Sequence, residues 1–321
     1  YWSSDEMLWM DGKGSDGQGP CASDNSAACP ETVRIYGFSL EDIAESAGPA
    51  QPSQPPAGPA EPTPAAAADP GQGPSGLCPG SIDISGNGPV SIIPTGWGTP
   101  NGGAKFEVLD GRVLVPHMGA RAYFADTCTA GSYDHEQYMA LNLLGKAMRF
   151  TVDLSGAGCG CNAAFYLVSM RQNAQVSDCH DYYCDANNVC GVSCAEIDIM
   201  EANQFAWHST LHTSHDHNGV GGGYGGGDGF NGPRDWLHSQ YAPGATCIDT
   251  AKPFHVKVSF PVDGQGTLMS MQVTLSQDGH SCPVSTKVTN YPGMAELSAA
   301  LRAGMTPVVS YWSSDEMLWM D

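Results

Sequence analysis

The side chains best suited to chemistry lie close together in the segment CAEIDIMEAN, which carries the carboxylates Glu196, Asp198 and Glu201. Side chains alternate between the two faces of a regular strand, so Glu196 and Asp198 share a face and Glu201 lies on the other. A β-bulge at Ile199 or Met200 would return Glu201 to the first face. The segment therefore predicts three interacting carboxylates on a bulged strand.

Two glutamates about 5 to 5.5 Å apart are the arrangement that retaining glycoside hydrolysis uses, one as nucleophile and one as general acid. Asp198 between them would hold the nucleophile and help to raise the pKa of the acid. The alternative is an acidic strand that faces water or binds calcium. The motif alone favours neither interpretation.

Four histidines follow the carboxylates, at positions 208, 212, 215 and 217. His208 and His212 could bind a transition metal from one face of a helix, but the β context favours surface histidines plus one cleft histidine. The glycine-rich run 219–229 lacks the Lys-Ser/Thr ending of a phosphate loop. We expect a loop near the cleft there, with Tyr224 as a substrate contact, and we expect no metal and no other cofactor.

Short apolar or alternating runs separated by turn residues predict a β-sandwich. One helix is expected near residues 293–303, where Met294, Leu297 and Leu301 share a face. The predicted strands occupy residues 32–40, 90–94, 112–115, 120–124, 147–154, 163–170, 196–199, 255–262, 268–275 and 307–312.

The bulk composition supports this architecture and limits the partners. The chain has 321 residues, of which 41% are hydrophobic and 15% charged, so it can bury a large core. Its 40 Gly and 23 Pro favour an all-β fold with many turns. A formal net charge of −21 repels nucleic acid and anionic membranes, so neither is an expected partner. Neutral polysaccharide, a cationic partner or divalent cations remain compatible with it.

Twelve cysteines indicate an oxidising compartment, which places the protein outside the cell or at the cell surface. The run C-x4-C-x5-C-x3-C at Cys179, Cys184, Cys190 and Cys194 matches no common structural zinc spacing. Disulfides are therefore favoured over zinc.

The first eleven residues, YWSSDEMLWMD, recur unchanged at 311–321. This offset predicts a tandem array of domain-sized repeats, and a duplicated tag is the alternative. Residues 47–76 are mostly Pro, Ala, Gly, Ser and Gln, which predicts an extended linker. We expect residues 1–46 to be the C-terminal strands of a preceding repeat and residues 77–321 to be a jelly roll lacking its last strand.

With these features in view, the chain resembles glycoside hydrolase family 7, the fungal cellobiohydrolases and endoglucanases. Residues 194–203 are similar to the family signature E-x-D-x-x-E, which is followed by Ala-Asn as here. The resemblance implies a concanavalin-like β-jelly-roll sandwich with trimmed loops. Further similar segments, in permuted order, are 33–40, 119–123, 143–154, 159–170, 248–260 and 304–321.

Carried over position by position, the resemblance implies that Glu196 is the nucleophile, Asp198 the assisting carboxylate and Glu201 the acid/base. His212 corresponds to an active-site histidine of the family. Only residues 171–195 separate a preceding strand from the motif, so the resemblance implies an open cleft without a tunnel. The family's cleft tryptophans and a binding-site aspartate correspond to Trp312, Trp319, their copies Trp2 and Trp9, and, less closely, Asp185.

Two functional hypotheses follow, because a fold by itself does not decide function. We favour a structural repeat of an extracellular filament, in which strand 33–40 and linker 47–76 contact neighbouring copies of the chain. The alternative is a secreted retaining endo-β-1,4-glucanase with an open cleft and β-glucan as its substrate. The carboxylates and His212 motivate this second hypothesis, and whether the site is active is left open.

Overall fold

The computed structural model describes residue 29 and residues 32–43, 77–97, 103–225 and 234–313. The predicted linker and the candidate residues Trp2, Trp9 and Trp319 lie outside the described residues. The C-terminal copy of the duplicated peptide is described only over its first three residues.

Strands dominate the described residues. There is also one α-helix, α1 (Met294–Ala303), and there are short 3-10 turns at His135–Gln137 and Ser169–Gln172. The strands are β1 (Arg34–Asp42), β2 (Gly80–Ile84), β3 (Gly88–Pro94), β4 (Phe106–Leu109), β5 (Val113–Pro116), β6 (Ala120–Ala125), β7 (Lys146–Asp153), β8 (Cys161–Val168), β9 (Glu196–Ala202), β10 (Trp207–His212), β11 (Val220–Tyr224), β12 (Tyr241–Ala242), β13 (Ile248–Asp249), β14 (Phe254–Ser259), β15 (Ser270–Ser276), β16 (Val284–Thr289) and β17 (Thr306–Ser313).

Two antiparallel sheets form a β-jelly-roll sandwich, as predicted. The seven-stranded sheet has the order β16-β15-β14-β7-β1-β5-β4, and the eight-stranded sheet has the order β11-β10-β9-β8-β17-β6-β3-β2. Strands β7 and β14 alternate between buried apolar and more exposed polar side chains, because one face of their sheet packs on the core and the other meets water. Strand β8 is buried along its whole length, since both of its faces are covered.

Strand β1 lies in the middle of the seven-stranded sheet, paired with β7 and β5 of the same chain. This corrects the expectation that residues 33–40 lie apart from the body and complete a neighbouring copy. The ring of Phe38 lies 5.5 to 5.6 Å from the rings of Phe124, Phe150 and Phe165. Removing the strand would expose this aromatic core, which is the physical reason that it stays in its own sheet.

Disulfides join several of these elements, as the cysteine spacing predicted. Cys159 is also disulfide-bonded. The pairs among the described residues are Cys29–Cys161, Cys78–Cys128, Cys179–Cys190, Cys184–Cys194 and Cys247–Cys282.

Helix α1 agrees with the predicted helix near residues 293–303. Leu297 and Leu301 are fully buried on the predicted apolar face. The helix ends at Gly304, whose φ of 94° suits glycine. In the described part of the chain, no helix has both the length and the apolar character needed to cross a bilayer.

Candidate active site

The carboxylate segment forms strand β9, and this strand carries a β-bulge at the predicted position. Between Asp198 and Glu201, Ile199 and Met200 together oppose the single residue Ser209 of β10. The register with β8 shifts at the same place. The extra residue restores the alternation, so the three carboxylates share one face while their apolar neighbours enter the core.

A buried serine supports the bulge from the core side. The hydroxyl of Ser209 donates to the carbonyl oxygen of Ile199 at 2.7 Å and accepts from the indole N–H of Trp207 at 2.9 Å. Ser209 and Trp207 are completely buried. The bulge is therefore held by a hydrogen-bonded chain that water cannot replace.

Replacing Ser209 with alanine should lower the free energy of unfolding by about 2 to 4 kcal/mol, because two buried polar groups each lose a partner. Urea unfolding followed by tryptophan fluorescence measures this change. Ser276→Ala removes an exposed hydroxyl on β15 and should change stability by less than about 0.5 kcal/mol. Equal losses in the two variants would contradict a supporting role for Ser209.

Glu196 lies at the buried end of the carboxylate row, with 6% of its surface exposed. Its Oε2 accepts a hydrogen bond from the backbone N–H of Ala186 at 3.0 Å. Burial and the negative charges of Asp198 and Asp185 raise the pKa of Glu196 well above its ordinary value. The N–H of Ala186 opposes that rise and favours the ionised form.

Asp185 was predicted to contact substrate, and the structure places it beside Glu196 instead of on an open surface. It is 3% exposed, and its Oδ1 accepts from the N–H of Val189 at 3.1 Å. Burial raises the pKa of Asp185 to about 6. The disulfide Cys184–Cys194 closes the loop that carries it. The negative charge of Asp185 therefore raises the pKa of Glu196.

Glu201 lies beyond the bulge and is only partly buried. The side-chain amide of Asn162 on β8 donates to its Oε1 at 2.9 Å. Burial and the negative charge of Asp198 raise the pKa of Glu201 to about 8. Glu201 therefore keeps its proton at neutral pH, which is the state that a general acid needs.

Asp198 lies between the two glutamates in the row and forms an ion pair with His212 of β10. Their Oδ2 and Nε2 atoms are 3.1 Å apart, and both side chains are buried. Burial disfavours the charged imidazole, but the hydrogen bond to Asp198 and its negative charge outweigh burial and raise the pKa of His212. The pair brings a positive charge to a row of acids. The structure thus brings together all four residues predicted to be catalytic.

The predicted substrate contacts divide between the two faces of the sheet. Trp312 is directly opposite Asn162 in the pairing of β17 with β8, so it lies on the carboxylate face next to Glu201. Tyr224 is opposite Trp207, and its ring packs 6.4 Å from that of Tyr241 on the core side. Strand alternation is the reason that Tyr224 does not reach the carboxylates.

Part of the carboxylate face is already covered by protein. A second buried cluster that includes Trp97, Tyr123, Tyr166 and Tyr183 packs on it. Arg121 stacks 3.7 Å from the ring centre of Tyr183 within this cluster. The carboxylates consequently lie between this aromatic cluster and the glycine-rich strand β11.

Sequence reasoning missed Asn162, although a signal for it exists. It is a completely buried polar residue in the otherwise apolar run of β8, where a side-chain hydrogen-bond partner is expected. It also missed Asp216, whose backbone carbonyl oxygen lies 2.9 Å from Nδ1 of His212. Across the described ranges, no group of three or more His, Cys, Asp or Glu is arranged to hold a metal ion.

Parts of the chain are similar to known proteins. Residues 113–188 match the family model "Glycosyl hydrolase family 7". Endoglucanase EG-1 of Hypocrea jecorina is 31% identical over 227 residues, covering 58% of this chain and 47% of that protein. Endo-beta-1,4-glucanase celB of Emericella nidulans is 27% identical over 270 residues, covering 64% and 62%. The chain thus spans about half to two thirds of the length of these relatives.

Solved structures give a weaker likeness. The Humicola insolens endocellulase EGI is 23% identical with a TM-score of 0.44, and 61% of each chain is covered. A GH7 family cellobiohydrolase from Daphnia pulex is 20% identical with a TM-score of 0.47, covering 65% of this chain and 67% of that one.

The two sheets define a β-jelly-roll sandwich, and β9 places a buried row of carboxylates on one face of it. The family match and the curated relatives then confirm the predicted resemblance to glycoside hydrolase family 7. The comparisons give no support to a tandem array or to a filament.

Proposed function

We propose that the chain is a secreted retaining endo-β-1,4-glucanase with an open cleft. One observation carries this proposal: the β9 bulge gathers Glu196, Asp198 and Glu201 on one face, beside His212. The curated relatives named above are endoglucanases, which supports the same substrate class. The filament interpretation is set aside because β1, its main proposed contact, is used within the chain.

In the proposed reaction, Glu196 attacks the anomeric carbon and forms a glycosyl–enzyme bond. Glu201 donates its proton to the glycosidic oxygen as the bond to the leaving sugar breaks. Glu201 then removes a proton from water, which attacks the same carbon and releases Glu196. The configuration is retained because the carbon is inverted twice.

The environment of Glu201 fits the acid role, because its pKa of about 8 keeps it protonated at neutral pH. Burial and the neighbouring carboxylates raise the pKa of Glu196 as well, and the hydrogen bond from the Ala186 N–H is the contact that favours the ionised form a nucleophile needs. The charge of Asp198 contributes to the high pKa of Glu201. His212 forms an ion pair with Asp198 and so fixes this carboxylate between the two glutamates.

Two features support an open cleft and a sugar substrate. Trp312 lies on the carboxylate face, where an aromatic ring suits stacking on a pyranose. The segment 171–195 is short and carries two disulfides, Cys179–Cys190 and Cys184–Cys194, so it folds back on itself. The disulfides also support secretion, since they persist in oxidising compartments.

The test is hydrolysis of a soluble β-1,4-glucan such as carboxymethylcellulose. We expect the viscosity to fall before many reducing ends appear, and proton NMR should show the β-anomer as the first product. Glu196→Gln keeps the size of the side chain and is the matched control. Wild-type rates no higher than those of Glu196→Gln would refute the proposed activity, and a first product of α configuration would refute retention.

A further inference from the structure

The turn between β10 and β11 is tied to the segment before α1 by one tyrosine. The hydroxyl of Tyr291 accepts from the backbone N–H of Thr213 at 2.7 Å and donates to Oδ2 of Asp216 at 2.7 Å. Tyr291 is 5% exposed. A single buried hydroxyl thus joins both ends of this turn to a different part of the chain.

Asp216 is in turn oriented toward His212. Its Oδ1 accepts from the N–H of Gly219 at 3.0 Å, and its own N–H donates to the carbonyl of Thr213 at 3.2 Å. With its side chain and N–H occupied, Asp216 presents its backbone carbonyl to Nδ1 of His212 at 2.9 Å.

Gly219 closes the other side of the imidazole. Its φ of +60° is in the left-handed region, and a Cβ added there would lie 2.6 Å from Cε1 and Nδ1 of His212. Only glycine leaves room for the ring. The turn therefore sets the position of His212 by a hydrogen bond and by steric contact.

This geometry determines which nitrogen of His212 titrates. A carbonyl oxygen can only accept, so Nδ1 carries a hydrogen and Nε2 is the nitrogen that gains or loses a proton. Nε2 lies against Asp198. A rigid turn consequently holds Nε2 of His212 against Asp198 on the carboxylate face.

We propose that Tyr291 is a positioning residue for the proposed hydrolase, acting through the Asp216 turn to hold His212 against Asp198. Tyr291 does so without being a member of the carboxylate row. The expected effect on kcat rests on the proposed function, whereas the expected effect on the titration of His212 does not. The titratable groups around His212 are Glu196, Asp198 and Glu201 on β9, Asp216 in the turn, and Tyr291 itself.

The test compares Tyr291→Phe with Tyr311→Phe. The hydroxyl of Tyr311 donates to the backbone carbonyl of Gly156 at 3.1 Å, and its ring belongs to the core between the sheets. The titration of His212 is followed by NMR of protein with 15N-labelled histidine. The signal of His212 is assigned by its absence from His212→Gln.

In Tyr291→Phe we expect the His212 midpoint to fall by about 0.5 to 1 pH unit, because the carbonyl and Asp198 no longer hold the imidazolium as firmly. The kcat on glucan at pH 7 should fall roughly 5- to 10-fold, with KM within about twofold, as expected when one hydrogen bond near 1 kcal/mol is lost. Tyr311→Phe should leave the midpoint and kcat unchanged.

An unchanged His212 midpoint in Tyr291→Phe would overturn the proposal, even if the variant melts earlier. Gly219→Ala provides a second measurement, since its methyl group must displace the ring, and it should lower the midpoint further. Circular dichroism verifies that each variant is folded. A wild-type chain that leaves glucan intact refutes the proposed function, whereas the NMR titration tests the positioning independently of turnover.

Discussion

Replacing Glu196 with alanine is expected to abolish turnover, both on glucan and on an aryl cellobioside with a good leaving group. The loss should be at least about 10⁴-fold, because the covalent step has no substitute nucleophile. Sodium azide should restore turnover of the aryl cellobioside and yield an α-glycosyl azide, since the small anion attacks from the side that the carboxylate vacated. Release of the phenol, measured by absorbance, follows the rate, and NMR identifies the product.

The matched control is Glu136→Ala, which removes an exposed carboxylate from a surface turn. It should keep turnover within about twofold of the wild type, as surface substitutions usually do. Azide rescue that yields a β-product would show that Glu196 is not the nucleophile. Formation of the α-glycosyl azide by Glu201→Ala in place of Glu196→Ala would exchange the two assignments.

Replacing Glu201 with glutamine should lower kcat on glucan by about 10² to 10⁴-fold, the usual contribution of a general acid. Formation of the glycosyl–enzyme from a substrate with an activated leaving group should be nearly unaffected, because such a group departs without a proton. A pre-steady-state burst of phenol measures that step separately from hydrolysis. A loss of burst rate on the activated substrate as large as the loss of kcat on glucan would contradict the acid role.

The pH dependence of the wild-type enzyme is a second test of Glu201 as the general acid. Glu201 must be protonated to act as acid, and its pKa is about 8. On its alkaline side, the kcat/KM of the wild type should therefore fall as the pH rises through that value. In Glu201→Gln this alkaline limb should be missing. A limb that persists unchanged would assign it to another group, such as His212, whose pKa is also raised.

The sequence alone was sufficient for the architecture and for the placement of the three carboxylates on one face. Alternating apolar runs predicted the sandwich, and the shared face of Leu297 and Leu301 predicted the helix that the structure contains. The spacing of Glu196, Asp198 and Glu201 required a bulge to place them together, and the bulge occurs at that position. These features were predictable because strand and helix periodicities are local properties of the chain.

The tertiary structure decided the features that depend on contacts between distant segments. It placed β1 between β5 and β7, because the aromatic core needs Phe38. It put the Tyr224 side chain on the core face, because the register between β11 and β10 determines which face the side chain occupies. The local sequence does not specify that register. It also brought Asn162 to Glu201 and Tyr291 to the His212 turn. These contacts join residues far apart in the chain, so periodicity cannot reveal them, and only the packing of the two sheets determines which side chains meet.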